Sequence, residues 1–514
     1  MLTKVYTAGL NGVDGFLITV ECSAWDRLPR FDMVGLGDTA VKEAKERVRA
    51  AMENSGYFFP SLEIMINLAP ADRKKEGSAL DLAILVAILQ ASGTIRREAD
   101  LSISCFMGEL SLSGEVRGVN GALCLALAAK EAGKKFLFVP EENAAEAAVV
   151  EGVTVYGVKT VRELVAYFEN RGELPVYRYD RRRFEAEAET HREDMADVKG
   201  QEMAKRALEV AAAGGHNLLL IGPPGAGKSM LAKRLPSILP DFTFEEAVES
   251  TKIHSVAGLL RENVMKHRPF RAPHHTTSAV ALIGGGTNPK PGEISLAHNG
   301  VLFLDELPEF PKTLTESLRQ PLEDGAVTVT RAAGRVRFPS SFMLVCAMNP
   351  CKCGNFGAAG RVCTCKPGEV AKYLSRVSGP LLDRIDIQVE LPAVTYEQMH
   401  EKKEASEGSA EVRARVNRAR KFARERFRAA GETGIFSNAD LSGAEIAKHC
   451  QMSEDASRLL EEAFTRLSLS ARGHDRILKV ARTVADLDGS PLIEKRHIAE
   501  AISYRSLDRK YWSR

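Results

Sequence analysis

The sequence lacks a long apolar run, a signal peptide and a large net charge, and each absence excludes a class of protein. No apolar run approaches the roughly 20 residues that a membrane-spanning helix needs. The first residues do not have the pattern of a signal peptide, so we expect a cytoplasmic protein with no membrane partner. The 70 basic and 68 acidic residues almost cancel. Any surface that binds nucleic acid must therefore be a local patch.

Length and cysteine content bound the architecture. A chain of 514 residues is too long for one hydrophobic core, so we expect about three domains. The composition, 44% hydrophobic and 27% charged, is that of an ordinary globular protein. Of the nine cysteines, four are closely spaced, which indicates reduced thiols and one metal site.

Residues 222–229 carry the motif around which the other signals are arranged. Gly222-Pro-Pro-Gly-Ala-Gly-Lys228-Ser229 matches G-x-x-x-x-G-K-[ST], between a predicted strand at 217–221 and a predicted helix from 230. Glycines let backbone amides surround a phosphate chain at a helix N-terminus. We predict ATP and Mg²⁺ as ligands, with Lys228 on the β- and γ-phosphates and Ser229 on the metal. The predicted nucleotide-binding residues are Gly222, Pro223, Pro224, Gly225, Ala226, Gly227, Lys228, Ser229 and Met230.

A second apolar run, 301–304, ends in two carboxylates. We predict that Asp305 binds Mg²⁺ through water and that Glu306 orients and polarises the attacking water, because phosphoryl transfer depends on positioning and charge neutralisation. A third apolar run, 342–347, leads to Asn349. This residue resembles the sensor 1 residue of AAA+ ATPases, which can hold the attacking water; the alternative is a turn asparagine before Pro350.

Four cysteines form two close pairs after Asn349. Cys351 and Cys353 are separated by nine residues from Cys363 and Cys365. Four thiolates suit one tetrahedral Zn²⁺. The C-x-C spacing is tighter than the usual C-x-x-C, so structural zinc, free thiols and redox chemistry all remain open.

Three longer runs are similar to one family. They are Arg268-Pro-Phe-Arg-Ala-Pro-His274-His275, Pro291-Gly-Glu-Ile-Ser-Leu-Ala-His-Asn-Gly300 and Leu304-Asp-Glu-Leu-Pro-Glu-Phe310. On these runs and the motifs above, the chain is identified over nearly its whole length as a member of the ComM/YifB-type Mg-chelatase-like AAA+ ATPases. The resemblance implies a hexameric DNA helicase that migrates branched intermediates in natural transformation and homologous recombination. Its partners would be single-stranded or branched DNA and further copies of the chain.

The same resemblance suggests roles for five arginines. Arg384, within Ser378-Gly-Pro-Leu-Leu-Asp-Arg384, resembles an arginine finger that acts on a neighbouring subunit; the alternative is a structural pair with Asp383 or Asp386. Arg472 resembles sensor 2, with Arg482 as the competing candidate. Residues 327–338 predict a β-hairpin that would contact DNA phosphates in a ring pore or would simply brace the ring. Its basic residues are Arg331, Arg335 and Arg337.

The amino-terminal part resembles the Lon-protease-like domain of Mg-chelatase-like ATPases and RadA. The resemblance rests on the runs 31–37, 67–72, 75–81, 108–116 and 139–143. A Ser nucleophile needs a base, but Ala79 stands at the nucleophile position, with Ser78 one position away. Leu123 stands near the expected lysine, and Lys130 is the remaining alternative base. We therefore expect a non-catalytic domain.

The predicted fold is multidomain. Residues 1–172 form an α+β Lon-protease-like (ribosomal S5 domain 2-like) domain, 173–196 a charged linker, 197–392 an α/β P-loop AAA+ core with hairpin insertions, and 393–514 an all-α lid. The basic helical run 411–430 indicates either a DNA or subunit contact or a solvated face. Two other functions remain alternatives: a metal-chelatase-like motor subunit and an ATP-dependent protein remodeller.

Overall fold

The first sheet is built by the amino-terminal residues in the order Leu2–Asn11, Asp14–Trp25, Glu63–Ala69 and Arg30–Val34. Inward-facing residues such as Ile18 and Val20 are buried while their neighbours are partly exposed, as alternation along a strand requires. Helices Thr39–Asn54 and Asp81–Ser92 complete this layer. This part of the chain combines strands and helices, in agreement with the predicted mixture.

The computed structural model from which the fold is taken describes residues 2–95, 101–186, 193–286, 289–331, 334–357, 362–393, 407–432, 434–467 and 469–512. Within these ranges, no helix is long and apolar enough to span a membrane.

A second sheet has the order Val176–Tyr177, Thr154–Val158, Phe136–Pro140 and Ser104–Phe106. Val176–Tyr177 lies in the predicted linker but pairs with Thr154–Val158, so the charged stretch contributes a strand to the first domain. Helix Arg181–Ala186 follows it. The other elements here are the paired strands Glu109–Leu110 and Val116–Arg117 and the helices Ala122–Glu131, Glu141–Ala147 and Val161–Phe168.

The central sheet is parallel and buried on both faces, which explains why its strands are continuous apolar runs. Its order is Phe270–Arg271, Val301–Leu304, Met343–Met348, Leu218–Ile221 and Ile387–Glu390. Phe270–Arg271 belongs to this sheet through its parallel pairing with Val301 and Leu302. The surrounding helices are Glu202–Gly214, Lys228–Arg234, Phe244–Val256, Ala279–Ile283, Glu293–Leu296, Lys312–Ser317, Arg319–Asp324, Pro367–Leu374 and Gly379–Leu382.

Two hairpins project from this core. The shorter one pairs Gly284–Gly285 with Lys290–Pro291. The longer one pairs Ala326–Arg331 with Gly334–Pro339 and confirms the predicted hairpin. We call it the arginine hairpin.

The carboxy-terminal part is helical in its described residues, as predicted, and residues 394–406 lie outside them. Its helices are Ser409–Ala429, Gly443–His449, Glu454–Leu467, Ala471–Leu487 and Lys495–Ser503. Short 3₁₀ turns lie at Met195–Asp197, Leu235–Ile238, Leu307–Glu309 and Asn438–Asp440, and a π turn lies at Asp508–Trp512.

The basic helix Ser409–Ala429 connects the core to the lid. Arg415 pairs with Glu209 of the core, and Arg426 pairs with Asp486 of the lid. Arg420 donates to the carbonyl oxygens of Phe436 and Ala212. Much of the basic character of this helix therefore serves packing between two parts of one chain.

The first domain contacts the core at two places. The helix Ala122–Glu131 packs on Phe244–Val256, and buried Glu146 accepts hydrogen bonds from the Leu123 amide and the Ser255 hydroxyl. Burial raises the pKa of Glu146. At the second place, buried Val13 joins the hydrophobic cluster that includes Phe338 of the arginine hairpin.

Val13→Asp is expected to destabilise this junction by about 3 kcal/mol, because it buries a carboxylate without a partner. Limited proteolysis should then release the first domain at lower protease concentrations than in the unmodified protein. Leu28→Asp is the control, since Leu28 is 88% exposed on the same domain. Equal protease resistance of the two variants would contradict the claim that Val13 holds the first domain against the core.

Candidate functional site

Three predicted site residues meet at one edge of the central sheet. The carboxyl ends of parallel strands lie at the same edge, where ligands of open α/β sheets bind. The phosphate loop follows Ile221, Asp305 follows Leu304, and Asn349 follows Met348. We call this the carboxyl edge.

Lys228 lies at the centre of the carboxyl edge. Its Nζ donates to the carbonyl oxygens of Gly222 and Pro223 at 2.7 and 3.0 Å, and to Asn349 Oδ1 at 3.0 Å. Burial lowers the pKa of Lys228, while the charges of Asp305 and Glu306 oppose that shift. A phosphate chain would replace neutral acceptors with charged oxygens, which bind an ammonium more strongly.

Ser229 and Asp305 place two oxygen ligands side by side. The Ser229 hydroxyl donates to Asp305 Oδ2 at 2.6 Å. Hydroxyl and carboxylate oxygens are the ligands that Mg²⁺ prefers, in combination with water and phosphate. The residues present therefore fit a magnesium ion between the loop and the second strand.

Glu306 has an uncommon backbone conformation. Its φ is 52°, in the left-handed region that residues other than glycine rarely adopt. Such conformations persist only where the surrounding structure holds them, and they cluster at functional sites. The side chain is exposed and lies beside His275, with Nδ1 3.8 Å from Oε2.

His275 is a site residue that sequence reasoning missed. Its sequence context gives no sign of this role, because nothing in the spacing of the chain relates position 275 to position 306. The neighbouring His274 makes a local contact instead, since its Nδ1 lies 2.9 Å from Thr276 Oγ1. Only the fold brings His275 to the carboxylate.

Gln201 connects the segment before the core to the phosphate loop. Its Nε2 donates to the carbonyl oxygens of Ala226 at 3.2 Å and Pro392 at 2.9 Å. This contact places the end of the stretch 197–201 next to the phosphate loop.

Arg384 lies at the opposite edge of the sheet. Its carbonyl oxygen accepts from Asn217, which immediately precedes the first residue of the strand Leu218–Ile221. The length of that strand, on the order of 10 Å, separates Arg384 from the phosphate loop of its own chain. Its guanidinium pairs with Glu323, and Nε has no partner among the described residues. The intramolecular ion-pair partner is therefore Glu323, whereas the alternative to the arginine finger named Asp383 or Asp386.

The two sensor 2 candidates differ sharply. Arg482 is fully buried and bonds Asp486 and the carbonyl oxygens of Ser490 and Pro491, which is a structural role. Arg472 is exposed at the start of the same helix. One turn later on the same helix face, Arg476 lies 3.4 Å from Asp386.

The arginine hairpin presents two unpaired cations. Arg335 and Arg337 are exposed, while Val336 is half-buried and Phe338 is buried, so both arginines lie on the open face. Neither has an ion-pair partner in the described ranges. The side chain of Arg331 lies outside the described part. Two of the three arginines predicted to contact DNA are therefore described, and both are exposed.

A cavity of about 840 Å³ lies between the hairpin and the first domain. Arg335, Lys290 and Arg73 line it together with acidic residues that include Asp14 and Asp72. Lys290 was not predicted as a site residue, because a single lysine in a glycine-rich stretch carries no signal. The fold adds it to the basic surface of the hairpin.

The four predicted cysteines form one cluster. All four sulfur atoms lie within 4.8 Å of one another. Cys351 lies 3.4 Å from Cys353 and 3.7 Å from Cys363, and the last two are 3.6 Å apart. A disulfide would need about 2 Å, whereas thiolates about 2.3 Å from a tetrahedral Zn²⁺ lie about 3.8 Å apart. The cluster fits zinc.

The contacts of Ser78 and the position of Leu123 bear on the prediction of a non-catalytic first domain, which stays a prediction. Its hydroxyl donates to the Glu109 carboxylate, and Leu123 is fully buried in the core. Ala79 lines the cavity described above. Within the described residues, no lysine is hydrogen-bonded to Ser78.

Comparisons with known proteins agree with this arrangement. Residues 20–143 match the model described as subunit ChlI of Mg-chelatase, 194–399 the model described as magnesium chelatase, subunit ChlI, and 406–505 its C-terminal model. Lon protease of Acinetobacter baumannii is 28% identical over 167 residues, which is 30% of this chain and 20% of that protein.

Full-length relatives settle the family. Competence protein ComM of Haemophilus influenzae is 42% identical over 514 residues, covering 99% of this chain and 98% of the relative. Protein YifB of Salmonella typhimurium is 43% identical over 515 residues, with the same two coverages. Membership of this AAA+ group implies ATP hydrolysis. The chain belongs to the ComM/YifB family of magnesium-chelatase-like AAA+ proteins.

Proposed function

We propose that the chain is the subunit of a ring, most simply a hexamer, that hydrolyses ATP to move along single-stranded or branched DNA. The observation that carries the proposal is the separation of Arg384 from Lys228, Asp305 and Glu306 on opposite edges of one sheet. A protomer with this geometry keeps Arg384 away from its own phosphate loop and would offer it to a neighbour. Such complementarity closes a ring when it repeats head to tail.

In the proposed reaction each residue has one task. Lys228 and the loop amides hold the phosphates, Ser229 and Asp305 hold Mg²⁺, and Glu306 polarises the attacking water while Asn349 orients it. The metal would neutralise charge on the phosphate oxygens. Arg384 from the adjacent protomer would stabilise charge that develops on the transferred phosphoryl group, with Arg472 beside it. His275 would steady the Glu306 carboxylate.

DNA would run past the arginine hairpin. Unpaired guanidinium groups on an open face suit phosphodiester contacts, which need charge but no base code. Arg335 and Arg337 supply such groups, and Lys290 and Arg73 extend them along the cavity wall. The arginines of the helix Ser409–Ala429 contrast with these, because several of them are occupied within the chain.

The double variant Arg335→Ala with Arg337→Ala is expected to weaken binding of a labelled single-stranded oligonucleotide about tenfold or more at low salt. The salt dependence of binding should become shallower, because fewer counterions are released. Fluorescence anisotropy over a salt series measures both. The matched control is Arg418→Ala with Lys421→Ala, which removes two exposed cations of the basic helix. Equal losses in the two double variants would contradict the assignment to the hairpin.

The function itself is tested by ATP hydrolysis with and without forked DNA, followed by displacement of a labelled strand. The proposal predicts stimulation of hydrolysis and displacement that requires ATP. A rate indifferent to DNA, with no binding at low salt, would overturn it. If it holds, we propose a role in processing branched DNA during natural transformation and homologous recombination.

A metal-chelatase-like motor is the second candidate, because the family models carry that name. The D-x-S-x-S spacing of a metal-adhesion motif occurs once in the chain, at 100–104, but Ser104 is buried and begins the strand Ser104–Phe106. Stimulation of hydrolysis by chelatase partner subunits and a porphyrin, with none by DNA, would favour this candidate.

We further propose that the four-cysteine cluster holds one structural Zn²⁺. The sulfur separations match the edges of a zinc tetrahedron, and the backbone amide of Phe356 donates to Cys351 Sγ at 3.3 Å. Hydrogen bonds of this kind orient the sulfur ligands of a metal. Elemental analysis of the purified protein should find one zinc per chain.

A further inference from the structure

The cysteine cluster lies directly against the phosphate loop. The Gly354 amide donates to the Cys351 carbonyl oxygen at 3.0 Å, which forms a tight turn with φ of +80° at Gly354. This turn lies on Pro224, so closely that a Cβ on Gly354 would be 2.3 Å from Pro224 Cδ. The contact leaves no room for a methyl group.

The chain also joins the cluster to the opposite side of the nucleotide site. Asn349, which accepts from Lys228 Nζ, precedes Cys351 by only two residues. The cluster therefore meets the site twice, through the backbone after Asn349 and through the contact with Pro224.

A third contact connects the same segment to the strand beside the phosphate loop. Phe356 packs on Tyr511 with ring centres 6.2 Å apart, and the Tyr511 hydroxyl donates to Glu390 Oε1 at 2.7 Å. Glu390 is opposite Ile221 in the parallel ladder, immediately before the loop. The segment that carries the cysteines thus follows the strand Met343–Met348, contacts the phosphate loop, and reaches the strand Ile387–Glu390 through Tyr511.

We propose that a metal ion in the four-cysteine cluster braces the phosphate loop, so that metal occupancy sets the affinity for ATP. The inference deepens the proposed function and rests on both the ATP site and the zinc centre. Four metal–sulfur bonds supply folding energy that a short glycine-rich segment cannot obtain from a core of its own. Without the metal, Gly354 would no longer hold Pro224 in the geometry that phosphate binding requires.

Two glycine variants distinguish the effect of the Gly354–Pro224 contact from the backbone strain that alanine causes at any position with positive φ. Gly354→Ala keeps all four thiols but pushes a methyl group into Pro224. Gly357→Ala is the matched control: its φ is +74°, and its Cβ would be 3.3 Å from Cε of the flexible Lys510 side chain. Both variants should retain one zinc per chain. Gly354→Ala should raise the Kd for a fluorescent ATP analogue about tenfold or more, and Gly357→Ala should leave it near the wild-type value.

Metal removal from the unmodified protein provides a second measurement. Dialysis against 1,10-phenanthroline, with Mg²⁺ kept in excess, should raise the Kd for the ATP analogue by a similar factor, and added Zn²⁺ should restore it. Cys363→Ser should behave like the metal-free protein and resist restoration.

The outcomes separate the proposals. The proposed coupling between the metal and the phosphate loop would be overturned if zinc could be removed and returned without changing the Kd. It would also be overturned if Gly354→Ala and Gly357→Ala had equal Kd values. Neither result would contradict the zinc centre itself. Protein that binds the ATP analogue but contains no zinc would overturn both. Protein that binds no ATP analogue, with or without zinc, would overturn the proposed ATPase.

Discussion

Replacing Glu306 by glutamine is expected to lower kcat for ATP hydrolysis about 10²–10⁴-fold, the usual range for a residue that polarises the attacking nucleophile. Glutamine keeps the shape of the side chain, but its neutral amide cannot polarise the attacking water or accept its proton as the carboxylate does. ATP binding should persist, because Lys228, Ser229 and the loop amides remain. Steady-state hydrolysis and titration with the fluorescent ATP analogue separate the two effects.

Glu309→Gln is the control for this variant. Glu309 lies three residues later, on the same turn, and pairs with Arg376 at the surface. Exposed ion pairs of this kind contribute little, so hydrolysis should stay near the wild-type rate. If Glu306→Gln were as active as Glu309→Gln, the assignment of Glu306 would be wrong, and its strained backbone would need another explanation.

Arg384→Ala is expected to lower kcat about 10³-fold or more, which is the scale of an arginine finger. The alternative is that Arg384 only pairs with Glu323 inside one protomer. The two accounts differ in what they predict for Glu323→Gln, which removes the same ion pair from the other side. A structural pair predicts similar defects for both variants.

The finger account predicts that Glu323→Gln retains activity, since a guanidinium released from its internal partner stays available to the neighbour. Thermal unfolding of both variants shows whether the ion pair stabilises the protomer. Equal loss of activity and equal loss of stability would identify Arg384 as a structural residue.

The parts of the site that follow strands could be predicted from sequence. Lys228, Asp305 and Asn349 each follow an apolar run, and parallel strands bring their carboxyl ends to one edge. The hydrogen bonds of Lys228 with Asn349 and of Ser229 with Asp305 agree with that reasoning.

What escaped prediction depends on contacts between distant segments. His275 reaches Glu306, Glu323 pairs with Arg384, and Gly354 lies on Pro224, but no local pattern relates the members of these pairs. Short elements were also missed. Phe270–Arg271 and Val176–Tyr177 have two residues each, too few to show a period, and only the neighbouring strands make them part of a sheet.

The charge of the helix Ser409–Ala429 shows a related limit. Its sequence indicates a basic surface, but partners such as Glu209 and Asp486 come from elsewhere in the fold. The arginine hairpin has fewer charges, and those described are unpaired. Which basic side chains can bind a ligand depends on their ion-pair partners within the fold, and amino-acid composition does not reveal those partners.

The most direct test of the shared site mixes two inactive proteins. Lys228→Ala lacks the phosphate-binding lysine but has a normal Arg384, and Arg384→Ala has the reverse. If the hydrolysis site is completed between protomers, mixed rings contain some interfaces with every required group. ATP hydrolysis should then appear on mixing, although each variant alone is inactive. No recovered hydrolysis, from proteins shown by fluorescence energy transfer to assemble together, would contradict a site shared between neighbours.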